Sequence, residues 1–480
     1  MKRIRRRKPA RKRVRIGASD PSLTAMSGVA ALGEFLDKLD VVGVFDRGIG
    51  SIKQRVRGAT AGELLVGLAQ SQLLGGDAFV ALDRQRQDLA AVELSAVPPI
   101  PATTAGSMAR RFNATHFAGV ASANAEMIGR AHRLLSRERQ AKLARSVTID
   151  MDSTDVEVYG SRKQGVAYNY AGQRAGRPHV ATWAEAGLTV AADLMAGNDD
   201  VRPRAAAMLR RALVGIPAPV LTGLRVAGAV PRVRADAGYF TGDLAHAALE
   251  QGCDFAIAAK RNTAMWRAYA SIDPDAWADA KGMPGAQVAA VDYAPGGWPE
   301  DTYTIVRRVR IDAEAISADP RSRRRRTIDP AQLALALEGT ATYAYAVSFI
   351  VTNIPTHNDS ANGETVYEVE AWFRRRTEIE DRIREAKLGA ALRHLPSGSE
   401  VVNTVWMWAA LLAGNLSVLL QALTGIDQHG RAHAARLRHE LLCVPARLVR
   451  HGRRLTLRLP PGDHLLPRVL TRIRALEPAA

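Results

Sequence analysis

Between residues 147 and 260 the chain follows one pattern that leaves few folds open. VTIDMD (147–152) alternates, with Val147, Ile149 and Met151 on one side and Thr148, Asp150 and Asp152 on the other. HVATWAE and LTVAADL read as two strands joined at Gly187, residues 200–214 as a helix and VPRVRAD as a strand. GYFTGDLAHAALEQG then reads as a turn and helix, and DFAIAAK as a further strand. The order strand–strand–strand–helix–strand–helix–strand predicts a mixed α/β sheet. Asp152 lies in or at the end of the first strand, and Asp236 ends another, in RADAGYF. Strand ends of such sheets are where sites usually form.

The flanks differ. Residues 1–20 are a basic arm, opening MKRIRRRKPARKRVR, expected to be disordered by itself. Residues 21–145 read as helical, with apolar spacing in Met26–Val44, Ala61–Leu74, Thr104–Phe112 and Phe117–Leu135 and a break at Pro98, Pro99 and Pro101. Helices so short and close are compatible with a helix-turn-helix, with residues 103–112 as its reading helix. Residues 146–262 form the first part of the core. Residues 263–345 break its rhythm with Trp266, Trp277, Trp298, the strand-like TYTIVRRVRI and arginines at 321 and 323–326, and read as an inserted subdomain. The core resumes over 346–395, beginning with AVSFIVTN, and 396–480 read as a helical C-terminal region.

Within that last region, residues 401–426 carry no charged side chain and are long enough to span a bilayer. Asn403, Thr404, Asn415, Ser417 and Gln421 interrupt the run, and Trp406 and Trp408 are not at its ends. A buried helix with no membrane partner is therefore expected. The chain holds two cysteines, Cys253 and Cys443, without metal-ligand spacing, which suits a reducing cytosol and excludes a disulfide scaffold or zinc ribbon. The N-terminus is too basic for a signal peptide and lacks its apolar segment. A net charge of +18 and a pI near 10.4 make an acidic polymer, nucleic acid first, the expected partner.

FRRRTEIEDRIREAK (373–387) has no Gly or Pro and reads as one helix. At about 100° per residue, Phe373, Arg376, Glu380 and Lys387 fall within roughly 60° of one another. Taken alone, Arg376 and Glu380 are an ordinary i,i+4 pair on a solvated face. With Asp152 and Asp236 added, three carboxylates far apart in sequence can meet at one sheet edge. Such a trio in a basic protein makes sense if a divalent cation fills the gap, and oxygen ligands suit Mg2+ or Mn2+.

DSTDVEVYG, RADAGYF and F-x2-R-x3-E-x6-K together resemble the DDE transposases of bacterial insertion sequences. They are similar to the subgroup marked by a Y-x2-R-x3-E-x6-K helix, and most like its thirteen-eighty type. The resemblance covers roughly residues 145–425. It implies an RNase H-like core, Asp152, Asp236 and Glu380 as a catalytic triad holding two metal ions, and Arg376 and Lys387 near the DNA phosphates. It further implies a partner in double-stranded DNA, at transposon ends and target, a homodimer on that DNA, and a cytoplasmic, nucleoid-associated enzyme. Phe373 stands where the family has Tyr, so a hydroxyl contact to phosphate is lost and a stacking role is left. Asp150 shares the face of Asp152, and either can be the first ligand; the family's D-x-T favours Asp152, followed by Ser153 and Thr154. In such enzymes the insertion can help hold a hairpin or flipped base. Trp298, in GGWPE, is a candidate wedge, since stacking a base on an aromatic ring is worth about 1–3 kcal/mol. The alternative reading is an RNase H-like nuclease or a domesticated DNA-binding descendant.

Overall fold

The computed structural model describes residues 13–55, 57–356 and 364–477; residues 1–12 of the basic arm lie outside them. The longest N-terminal helix is α1 (Ala114–Leu134), whose first turn is closed by Asn113 accepting from the His116 amide. β1 (Thr148–Ser153) opens the main sheet. β2 (Arg174–Trp183) and β3 (Leu188–Ala196) form a hairpin whose turn places Gly187 at φ +68°, a conformation open to glycine at little cost. α2 (Arg202–Val214) precedes β4 (Arg232–Ala235), and α3 (Gly242–Glu250) precedes β5 (Asp254–Ala258).

These strands lie in the order β3-β2-β1-β4-β5. β2 pairs antiparallel with both β1 and β3, and β1, β4 and β5 run parallel. Parallel neighbours need long crossovers, which the helices supply. Val233, Ala235, Phe255 and Ile257 are fully buried, as expected of strands covered on both faces. The expected mixed sheet is therefore present.

The stretch expected as an inserted subdomain builds onto this same sheet. β6 (Ala286–Val291), β7 (Tyr303–Asp312) and β8 (Tyr343–Thr352) follow β5 in the order β5-β8-β7-β6. β8 pairs antiparallel with β5, Ile350 opposite Ala258. Residues 343–349 of β8 and the paired part of β7 consequently run on past the last residue of β5, making an arm that β6 joins over residues 306–309 of β7. On one face of the arm the Arg308 guanidinium lies 3.9 Å from the Trp277 ring and 4.5 Å from that of Tyr345.

α4 (Val366–Arg374), α5 (Thr377–Arg384) and α6 (Glu400–Thr424) come next. α6 is long and apolar enough to cross a membrane, yet 89% of its apolar window is buried in the protein. Its polar residues are matched internally. Asn415 accepts from the Thr189 amide at 2.8 Å and donates to the Thr189 carbonyl at 2.8 Å, so it extends the hydrogen bonding of β3. The C-terminal region, read as helical, also holds a hairpin, β9 (Ala446–His451) with β10 (Arg454–Arg458). β9 pairs with Leu23–Thr24, and Arg474 bridges to Glu34, so the two ends of the chain pack as one unit.

Candidate active site

β1 and β4 are parallel neighbours with Met151 opposite Ala235. The next residues, Asp152 and Asp236, therefore stand side by side where the strands end, on backbones about 4.8 Å apart. Asp152 Oδ1 accepts from the Ser153 amide at 2.7 Å. Asp236 Oδ1 accepts from the Gly238 amide at 2.9 Å and starts a short 3-10 turn.

The structure separates the two aspartates of β1. Asp150 is fully buried, and Arg234 grips it through two bonds, Nε to Oδ1 at 2.6 Å and Nη2 to Oδ2 at 2.8 Å. The guanidinium also lies 5.0 Å from the Trp372 ring. With both oxygens committed, Asp150 serves structure. Asp152 keeps 15% of its side chain exposed and is the reachable one.

The single helix expected over 373–387 is broken. α4 ends at Arg374, Arg375 and Arg376 form a tight turn, α5 starts at Thr377, and residues 385–389 widen into a π-turn. Tertiary contacts pin the end of α4. Trp372 Nε1 donates to Thr148 Oγ1 at 3.3 Å, the Trp372 carbonyl accepts from Arg234, and Arg374 donates to Glu370 and to the Lys281 carbonyl. The break leaves the charged residues on the acid edge. Arg376 Nη1 lies 3.4 Å from Asp152 Oδ2, and its Nη2 lies 4.0 Å from Glu380 Oε1. Lys387 Nζ donates to Thr154 Oγ1 at 2.6 Å and to the Asp155 carbonyl at 2.8 Å. A cleft of about 370 Å³ is lined by Asp152, Ser153, Thr154, Glu380, Arg384, Lys387 and Arg393, among others.

Burial pushes the Asp152 carboxyl up to about 6; Arg376 opposes this, while Asp236 and Glu380 add to it. That mutual repulsion places Asp236 and Glu380 on the same edge as Asp152. Burial lowers Lys387, against the pull of Asp155 and Asp152. Among the described residues no three acidic, histidine or cysteine side chains are close enough to share one ion. The donor set still fits Mg2+, which takes one or two carboxylates and completes its shell with water and phosphate. Asp152 and Asp236 would supply that pair; the Glu380 side chain is 59% exposed.

Two expected DNA contacts are placed elsewhere. The Phe373 ring packs at the margin of an apolar cluster around Ile305, Ile350 and Val369. Trp298 packs its ring 5.1 Å from Phe240 and 5.8 Å from Phe255. Both rings are partly buried against these neighbours. Arg384, Arg393 and Tyr239 were not singled out from sequence. Arg384 sits four residues after Glu380, so helical spacing offered a signal for it. Arg393 and Tyr239 had none, because only the fold brings them to this edge.

Paired acids at a sheet edge, ringed by Arg and Lys, form a site built for phosphodiesters of an anionic polymer. The sequence matches the model of the family described as "Transposase DDE domain group 1" over residues 7–321 and 324–478. The chain belongs to that family and is a DDE transposase, an enzyme that cuts and joins DNA. No curated protein matches it in sequence. One similar solved structure is a cryo-EM structure of the piggyBac transposase synaptic complex with hairpin DNA. It is 9% identical, with a TM-score of 0.41 over 86% of this chain and 79% of that chain.

Proposed function

We propose that this transposase serves a bacterial insertion sequence of the Y-x2-R-x3-E-x6-K subgroup, close to the thirteen-eighty type. In this reading the core is RNase H-like, and the enzyme acts as a homodimer in the cytoplasm, at the nucleoid. It binds double-stranded DNA at the terminal inverted repeats of its own element, cleaves a strand and transfers the freed 3′-hydroxyl to target DNA. The observation that carries the reading is the adjacency of Asp152 and Asp236 on parallel strand ends, with Glu380 within electrostatic reach. Asp152, Asp236 and Glu380 would hold Mg2+ or Mn2+. Such ions, held there, would activate the attacking oxygen and stabilise the leaving one.

The chain's own residues do the rest. Arg376 lies between Asp152 and Glu380 and lowers their repulsion. Its guanidinium offers a bidentate grip for phosphate. Lys387 is held at the cleft by Thr154 and the Asp155 carbonyl, and with Arg384 and Arg393 it sets the path of the DNA backbone.

The test is an element end as a duplex substrate with Mg2+. Nicking and strand transfer are expected, both lost in EDTA. Asp236→Ala should abolish both while DNA binding persists. Normal cleavage by Asp236→Ala overturns the assignment. Nicking without joining to a new target favours the nuclease reading.

A further inference from the structure

The hairpin of β9 and β10 carries more positive charge than its fold needs. No acidic residue occurs between Glu440 and Asp463, a stretch that holds five arginines. The strands meet through a two-residue turn, Gly452 at φ +59° and Arg453. Residues opposite each other on paired strands share a face. One face therefore collects Arg447, Val449, His451, Arg454, Thr456 and Arg458, with Arg447 facing Arg458 and His451 facing Arg454. The other face carries Leu448, which is buried, and Leu457, which packs on the core. Two of the arginines are used by the fold: Arg447 bridges to Asp20 at 2.9 Å, and Arg450 bridges to Glu93. Arg453, Arg454 and Arg458 are exposed, with no ion pair or hydrogen bond among the described residues. Like charges directly opposite one another destabilise a ladder. β10 is an edge strand, and a charge on it guards against stray pairing. That protection needs no second arginine across from it.

We propose that this hairpin is a β-ribbon that docks in the major groove of the element's terminal duplex, away from the catalytic cleft. The inference rests on the end-binding reading above. A major groove about 12 Å wide admits a two-stranded ribbon. Arg453 at the tip, with Arg454 and Arg458 along the outer strand, supplies the phosphate contacts, and the phosphates relieve the repulsion between Arg447 and Arg458. Val449 and Thr456 face each other between the two charged pairs. Thr456 offers a hydroxyl and a methyl group to base edges, and His451 a ring nitrogen. Such readers suit the fixed sequence of the element's own end better than target DNA of varied sequence. Pairing with Leu23–Thr24 and the bridge to Glu93 fix the ribbon to the unit formed by the two chain ends. It shares no residue with the lining of the cleft.

The experiment is fluorescence anisotropy on the full chain in EDTA, so that neither cation nor cleavage enters, with urea unfolding alongside. The probes are a duplex carrying the element's terminal repeat and a scrambled duplex of equal length. Arg454→Ala with Arg458→Ala is expected to bind both duplexes about tenfold or more weakly and to lower the slope of log affinity against log salt by about two units. Its urea midpoint should be equal or higher, since a repulsion is removed. His451→Ala with Thr456→Ala is expected to cut the preference for the repeat by about tenfold. Unchanged affinity and slope in the arginine variant overturn the ribbon. A lower urea midpoint for that variant shows that the arginines serve the fold, and overturns it too. An unchanged preference in the second variant overturns the choice of the element's end. If the wild type does not distinguish the two duplexes, the end-binding reading and this inference fail together; if it does and both variants match it, only the ribbon falls.

Discussion

The interior of β1 and its end hold the same side chain in opposite circumstances. Asp150 is sealed, doubly bonded to Arg234 and roofed by Trp372. Asp152, two residues on and on the same face, keeps one edge open to a cleft and has other acids for neighbours. A buried carboxylate without a full partner is held in place by its surroundings at a cost to the fold, and such sites favour function. The Asp150 pair shows the contrary case, in which a buried charge is tolerated because its partner is buried with it.

The sharpest way to break this contrast is to neutralise each acid in turn. Asp152→Asn and Asp236→Asn should lower strand cleavage by about 10⁴-fold or more, with DNA binding retained. Asp150→Asn, corrected for the fraction folded, should cleave near the wild-type rate. A gel-based nicking assay decides between them, and equal loss from Asp150→Asn would erase the distinction.

Stability should divide the two positions the other way. Asp150→Ala leaves Arg234 charged and buried, and should cost about 3–5 kcal/mol in urea unfolding. Asp152→Ala should cost far less, since Arg376 is partly exposed and keeps Glu380 as a neighbour.

The pH profile sharpens the comparison further. Asp152 is raised to about 6 by burial, so cleavage should fall about fivefold between pH 6 and pH 5 as the carboxyl protonates. The same shift affects folding with the opposite sign. An acid whose folded pKa is raised adds stability that is complete below about 4 and lost as pH rises through about 6. The stability difference between wild type and Asp152→Asn should therefore grow in favour of the variant over that window. A flat difference would mean that Asp152 is not buried as the fold places it.

The smallest expected effect is at Lys387. Lys387→Ala should lower the slope of log affinity against log salt by about one unit. An unchanged slope would leave Lys387 as a brace for the loop after β1 and no more.

Much of this was legible in the chain. Alternation in VTIDMD, the Gly187 turn and the helix after Asp236 are local matters, set by backbone sterics and by which side chains seek burial. Strand ends and helical spacing marked the three acids as candidates. The break at Arg375 and Arg376 was not, since no Gly or Pro announces it and the cause is Trp372 held by Arg234 and Thr148. The placements of Phe373 and Trp298 were hidden for the same reason: an aromatic ring suits a core and a DNA base equally well.

By itself, then, the order of residues determined the class of sheet, the basic character and which carboxylates end strands. The sealing of Asp150 by Arg234, the extension of the sheet by β6–β8 and the joining of the two chain ends were decided only in three dimensions. Periodicity carries information about a residue's own element and face. Partners more than 80 residues away, as Arg234 is from Asp150, are chosen by packing.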